Sequence, residues 1–63
     1  KEIIALIQRL PNGYRTVFNM YVIEGYNHKE IAKKLGIAEG TSKSQLNKAK
    51  HLLRKKIEKL NLI

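Results

Sequence analysis

Proline and glycine divide the chain of 63 residues into four segments of helical hydrophobic pattern. The divisions fall at Pro11-Asn12-Gly13, at Gly25-Tyr26-Asn27, at Gly36 and at Gly40. Proline ends a helix because it lacks an amide proton, and glycine readily takes the left-handed conformation that follows a helix end. Since the chain has no cysteine for a disulfide, four short helices must be stabilised by packing on one another. We therefore expect one all-α domain over residues 1–63. Because the chain starts directly in a helical pattern, we also expect it to be a fragment of a longer protein.

The first two segments each carry an apolar stripe. In residues 2–10 the stripe consists of Ile3, Leu6, Ile7 and Leu10. In the segment from about residue 13 to residue 24 it consists of Tyr14, Val17, Phe18, Tyr21 and Val22. Side chains at positions i, i+3, i+4 and i+7 share one face of a helix. Both stripes, aromatic side chains included, are therefore predicted to face the core.

The third segment begins with a capping signal. Asn27 can accept a hydrogen bond from a free amide of the first turn, and Glu30 can reach back to the amide of Asn27. His28, at the start of this helix, is expected to be a solvated polar residue rather than a phosphate contact. Gly36 ends the helix after about two turns. The side chains predicted to face inward are Ile31, Ala32 and Leu35.

The fourth segment, from about residue 39 to residue 60, is amphipathic. At about 100° per residue, one face holds Ser42, Leu46, Ala49, Leu53, Ile57 and Leu60. The opposite side holds Lys43, Ser44, Asn47, Lys48, His51, Arg54 and Lys55. The sequence therefore predicts an apolar inner face and a basic outer surface. A hydroxyl at Ser42 on the inner face needs a partner, and a carbonyl one turn back can supply it.

Residues 31–41 have the pattern of a helix-turn-helix. Ala32 is small enough for a second helix to cross closely, Gly36 allows a sharp turn, and Ile37 can fill the corner. In this motif the second helix enters the major groove of DNA by its N-terminal end. An ordinary antiparallel helix pair with glycine in its turn is the alternative.

Positive charge is concentrated in the second half of the chain, which carries a net charge of +8 in all. Residues 1–27 hold three basic and two acidic side chains, whereas residues 28–63 hold ten basic and three acidic ones. A localised excess of this kind is typical of proteins that bind a polyanion. A lysine-rich helix face that is only solvated would have the same composition.

Several functions are excluded by composition. The chain has no Asp, its Glu residues are scattered, and His28 and His51 are too few and too far apart for a zinc centre. We therefore expect no enzyme, no cofactor and no metal. No apolar run approaches the roughly 20 residues of a membrane span, and no membrane partner is expected.

The predicted DNA contacts follow from side-chain chemistry. Lysine donates to O6 and N7 of guanine, and asparagine pairs with N6 and N7 of adenine. Base contacts are expected from Lys43, Ser44, Asn47 and Lys48. Phosphate contacts are expected from the hydroxyl of Thr41 at the helix start and from Lys33, Lys34, Lys50, Arg54 and Lys55. Tyr26, in the turn before the third segment, either covers the core or touches the DNA backbone.

Three stretches, residues 10–18 (LPNGYRTVF), 24–32 (EGYNHKEIA) and 35–46 (LGIAEGTSKSQL), resemble region 4 of bacterial extracytoplasmic-function sigma factors. The resemblance implies a four-helix domain that reads the −35 element of double-stranded promoter DNA in the bacterial cytoplasm, at the nucleoid. It further implies the β-flap of RNA polymerase and an anti-sigma factor as partners. It places Lys43, Ser44 and Lys48 at bases or backbone, and Thr41 and Gln45 near phosphates.

The chain departs from the pattern of that family at a few positions. Ala38 stands where the family often has a capping Ser, Ser42 replaces a common Val, and Gln45 and Lys48 stand where Arg is frequent. An inherited −35 sequence is therefore not expected to apply unchanged.

Two other functions remain open at this point. A LuxR-type regulator has a similar four-helix domain, although an opening rich in Arg and Glu is expected there in place of residues 11–15. A basic protein-interaction module would dock the fourth segment on an acidic partner or an anionic membrane.

Overall fold

The computed structural model describes residues 2–59, which form four α-helices and one π-helical turn. Helix α1 spans Glu2–Gln8 and α2 spans Asn12–Phe18, which the π turn Asn19–Ile23 continues directly. Helix α3 spans His28–Leu35 and α4 spans Glu39–Lys59. Residues 2–59 contain no strand, and the predicted all-α fold is confirmed. None of these helices combines the length and the hydrophobicity that a membrane span requires.

Helix α4 is the element against which α1, α2 and α3 all pack. Its inner face is the predicted one, since Ser42, Leu46, Ala49 and Leu53 are buried and Ile57 is partly buried. Leu60, the last residue predicted for this face, lies outside the described residues. The core that forms around α4 consists of Leu6, Leu10, Val17, Phe18, Met20, Ile31, Leu46, Ala49 and Leu53.

Two hydrogen bonds from one guanidinium group stabilise the connection between α1 and α2. Arg15 donates from Nη1 to the carbonyl oxygen of Gln8 at 2.8 Å and from Nη2 to Oδ1 of Asn12 at 2.5 Å. Helix α1 ends at Gln8, before Leu10, and the buried side chain of Leu10 then anchors the turn. Ile3, predicted for the buried stripe, is 47% exposed.

The π turn changes which side chains of the second segment are buried. The amide of Glu24 donates to the carbonyl of Asn19 at 2.9 Å, a bond over five residues, so the backbone beyond Phe18 no longer advances by about 100° per residue. Tyr21 and Val22 are consequently 39% and 48% exposed, and Met20 is buried instead. The prediction that Tyr21 and Val22 face the core was wrong.

Helix α3 has the predicted capping box. The amide of Glu30 donates to Oδ1 of Asn27 at 2.8 Å, and the amide of Asn27 donates to Oε1 of Glu30 at 2.9 Å. At the other end, Gly36 has a φ of +69°. The prediction that Leu35 faces inward was wrong, because the chain turns away at Gly36; Leu35 is 39% exposed.

Candidate nucleic-acid interface

The chain turns sharply between α3 and α4 at Gly36, as the sequence predicts. The amides of Gly36 and Ile37 both donate to the carbonyl of Ala32, which closes the end of α3 and reverses the chain. Ala32 is buried, and the partly buried side chain of Ile37 packs against the core. The start of α4 is thereby fixed on α3, in the arrangement of a helix-turn-helix.

The outer face of the first turns of α4 brings together the predicted base-contacting residues. Their side chains are all exposed, while Ser42, Leu46 and Ala49 of the same turns are buried. This set consists of Lys43, Ser44, Asn47 and Lys48, and we call it the recognition face. Thr41, at the start of the helix, is also exposed. The recognition face offers two ammonium groups, a hydroxyl and a carboxamide within about 8 Å along the helix axis.

The predicted phosphate contacts flank the recognition face on two elements. Lys33 and Lys34 lie in the last turn of α3 and are exposed. Three further exposed cations lie along α4 toward its C-terminus, namely Lys50, Arg54 and Lys55. Exposed cations are therefore present on both helices of the corner.

Tyr26 holds one of these cations. The Nζ atom of Lys34 lies 4.9 Å from the centroid of the Tyr26 ring, a distance at which the ring attracts the ammonium group. The ring of Tyr26 is partly buried and packs against the core. It therefore covers the core and orients Lys34 beside the corner.

Gln45 lies apart from the other residues predicted to contact DNA. Its side chain is partly buried toward α2, close to Gly13. The Oε1 atom is enclosed and has no hydrogen-bond partner among residues 2–59. In this position the amide is part of the helix–helix contact and not of the recognition face.

A polar contact between α3 and α4 was not expected from the sequence. Ser42 is fully buried, and its Oγ atom lies 2.7 Å from Nδ1 of His28. The His28 ring is partly buried and stacks on Tyr21, with centroids 4.5 Å apart and planes at 25°. The prediction of a carbonyl partner for Ser42 was wrong, and His28 is only partly solvated because one ring nitrogen and one ring face are in contact with the protein. The signal available in the sequence was the hydroxyl on the inner face of α4, because a buried hydroxyl needs a partner.

Over residues 2–59, no three side chains of the types that bind metals come together as a site. His51 is exposed on α4.

The comparison with known proteins identifies a family. The family model described as sigma-70, region 4, matches residues 1–60. That range includes all four helices, the corner and the recognition face. No curated protein and no solved structure matches the chain. The match favours the sigma-factor interpretation over a LuxR-type domain.

Proposed function

The chain belongs to the sigma-70 region 4 family, and on that premise we propose that it reads the −35 element of promoters for a sigma factor of the extracytoplasmic-function group. Region 4 is a DNA-binding, helix-turn-helix domain of sigma factors and acts in transcription initiation. Recognition of the −35 element and membership of the extracytoplasmic-function group are what we propose beyond the family. Neither a cofactor nor a metal is needed for this function.

The observation that carries the proposal is the composition of the recognition face. Lys43 and Lys48 can donate to guanine, and Asn47 can pair with adenine through both polar atoms of its amide. Ser44 lies between them and suits several base edges. The N-terminal end of the second helix is the part that enters the major groove, and the exposure of these side chains there supports the proposal that they read bases.

The flanking cations supply affinity without sequence information. Contacts from Lys33, Lys34, Lys50, Arg54, Lys55 and Thr41 would fix the domain on the backbone. Release of about four to six counterions gives a salt slope of about −4 to −5. Gln45 contributes to this set only if its amide turns away from α2. A single small domain binds weakly alone, so the polymerase raises its effective concentration at the promoter.

We further propose that exposed apolar side chains of α1 and of the π turn bind the β-flap of RNA polymerase. Ile3 and Ile4 of α1 are 47% and 58% exposed, and Val22 and Ile23 of the π turn are 48% and 66% exposed. Large exposed apolar patches are typical of binding surfaces, and each of these two elements exposes two adjacent aliphatic side chains. An anti-sigma factor that covered the same side chains would block the polymerase.

Selection from a randomised duplex library tests the reading of DNA. We expect the chain to enrich one short motif, Lys43→Ala to change the preferred bases, and Lys55→Ala to lower affinity for all sequences alike. Equal affinity of the unaltered chain for every duplex would contradict base reading and would favour the basic protein-interaction module.

Binding to core RNA polymerase tests the apolar surface. Ile4→Glu and Ile23→Glu should weaken binding to the polymerase and leave DNA binding by the isolated chain in place. Leu35→Glu is the matched control, because Leu35 is also a large exposed hydrophobic residue but lies on α3. Equal losses for all three variants would contradict the assignment of the β-flap contact to α1 and the π turn.

A further inference from the structure

The buried hydroxyl of Ser42 determines where the neutral His28 ring carries its proton. The Ser42 side chain has no exposed surface, and its Oγ atom has one side-chain partner among residues 2–59, namely Nδ1 of His28 at 2.7 Å. A buried hydroxyl proton must lie on an acceptor, since leaving it unpaired carries the full desolvation penalty. Nδ1 must therefore accept from Ser42, and a neutral ring then holds its proton on Nε2.

The other edge of the ring is available to a ligand. Tyr21 stacks on the face of the His28 ring and Ser42 holds Nδ1, so the ring orientation is fixed on two sides. Nε2 has no hydrogen-bond partner in the described range of the chain and is not among its enclosed polar atoms. A fixed N–H group thus reaches solvent at the first residue of α3.

We propose that Nε2–H of His28 donates a hydrogen bond to one phosphate of the DNA backbone, with Ser42 as the positioning residue. In a helix-turn-helix the first helix crosses the backbone while the second lies in the groove. His28 is hydrogen-bonded to Ser42 in the first turns of α4, the residue that precedes Lys43 of the recognition face in the chain. This inference rests on the proposed docking of DNA at α4.

The proton position can be measured without DNA. In the free chain at alkaline pH, where imidazole is neutral, the ¹⁵N chemical shifts of His28 should report a protonated Nε2 and an unprotonated Nδ1. His51, which is exposed, serves as the internal reference for a ring without such a contact. Ser42→Ala should move His28 toward the mixture shown by His51. A proton on Nδ1 of the unaltered chain would overturn the proposal, whether or not DNA binds.

The phosphate contact is tested with duplexes in which single phosphates are replaced by neutral methylphosphonates. The reference protein is Ser42→Ala, which has no buried hydroxyl that would lose its partner when His28 is replaced. The test protein is the double variant that adds His28→Phe, which keeps an aromatic ring against Tyr21. We expect the double variant to bind all sequences about tenfold more weakly than Ser42→Ala, as for loss of a hydrogen bond to a charged group. Measured at alkaline pH, where imidazole is neutral, the salt slope of the double variant should not change, because a neutral donor releases no counterion.

Among the single methylphosphonate replacements, we expect one position to affect binding through His28. Replacing that phosphate should weaken binding of the unaltered chain most and of Ser42→Ala less, because Ser42 no longer positions the ring there, and it should have no further effect on the double variant. A structural role of His28 alone predicts equal sensitivity of all three proteins to every replacement, and that result would overturn the proposal while the DNA-binding function stands. Failure of the unaltered chain to bind any duplex would overturn the proposed function and this inference with it.

Discussion

The side-chain amide of Gln45 lies so close to Gly13 that a Cβ atom on Gly13 would be 3.3 Å from Nε2 of Gln45. The carbonyl oxygen of the same amide, Oε1, is enclosed and unpaired among residues 2–59. The contact between α2 and α4 therefore contains a polar group that loses its water without gaining a partner.

Replacing this amide should stabilise the domain. Gln45→Met keeps a straight side chain of similar length and removes the enclosed oxygen, so we expect the free energy of unfolding to rise by about 1 kcal/mol. Urea denaturation followed by circular dichroism measures it. Gln8→Met, at an exposed position of α1, is the matched control and should change the free energy by no more than about 0.5 kcal/mol. A loss of stability in Gln45→Met would contradict the enclosed, unpaired amide.

Alanine should have opposite effects at two glycines. Gly13 lies in α2 without a positive φ, and the atom in the way of a Cβ is the end of a flexible side chain. Gly13→Ala should therefore stabilise the domain by about 0.4–1 kcal/mol. Gly36 has a φ of +69°, so Gly36→Ala should destabilise it by about 1–2 kcal/mol. Thermal unfolding of both variants and of the unaltered chain measures the two changes in stability. Changes of the same sign would contradict this prediction.

The capping box should contribute measurably to α3. Asn27→Ala removes the acceptor of the Glu30 amide and should lower the free energy of unfolding by about 1 kcal/mol, whereas Asn27→Ser should retain most of it. Asn47→Ala, in the interior of α4 and exposed, makes the same chemical change outside a cap. It should leave stability unchanged or slightly higher, since alanine is the better helix former. The denaturant midpoints of the three variants measure these changes in stability, and equal midpoints for Asn27→Ala and Asn47→Ala would contradict the contribution of the cap.

Local chemistry explains why the boundaries of the helices were predictable. Pro11 and Gly36 act on their own backbone, and Asn27 and Glu30 are neighbours in sequence, so their effects need no knowledge of distant parts. The inner face of α4 was also predictable, because its buried residues repeat at helical spacing over several turns. Three short stretches also indicated a sigma factor, and the match over residues 1–60 confirms the sigma-70 region 4 family.

Contacts between distant parts of the chain were not predictable in this way. The change to π geometry at Asn19 shifts the burial of Tyr21 and Val22, and no periodicity marks it. The pairing of His28 with Ser42 joins residues 14 positions apart, so it depends on how α3 meets α4. The recognition face is exposed as the pattern indicated, but its contacts with DNA remain a prediction, because exposure alone does not distinguish a ligand contact from a solvated side chain.

Arg15 should be required for the junction of α1 and α2. It donates to the last carbonyl of α1 and to Asn12 at the start of α2, a geometry that a guanidinium group supports and an ammonium group does not. Arg15→Lys should therefore destabilise the domain by about 1 kcal/mol, nearly as much as Arg15→Ala. In Arg15→Lys, amide hydrogen exchange should become faster in α1 relative to the unaltered chain, and it should change less in α4. Arg9→Lys, at an exposed position, is the control, and full retention of stability in Arg15→Lys would argue against the double contact.

Salt dependence should separate the flanking cations from the recognition face. Lys55→Ala removes one cation that is proposed to contact phosphate, so the slope of log K against log salt should become less steep by about 0.9. Asn47→Ala removes a neutral group proposed to read a base, so it should leave the slope unchanged and reduce discrimination at one base pair by about 1–3 kcal/mol. Fluorescence anisotropy with the selected duplex, between about 50 and 200 mM salt, measures both effects. A less steep slope in Asn47→Ala, or a changed base preference in Lys55→Ala, would show that the two sets of contacts are assigned the wrong way round.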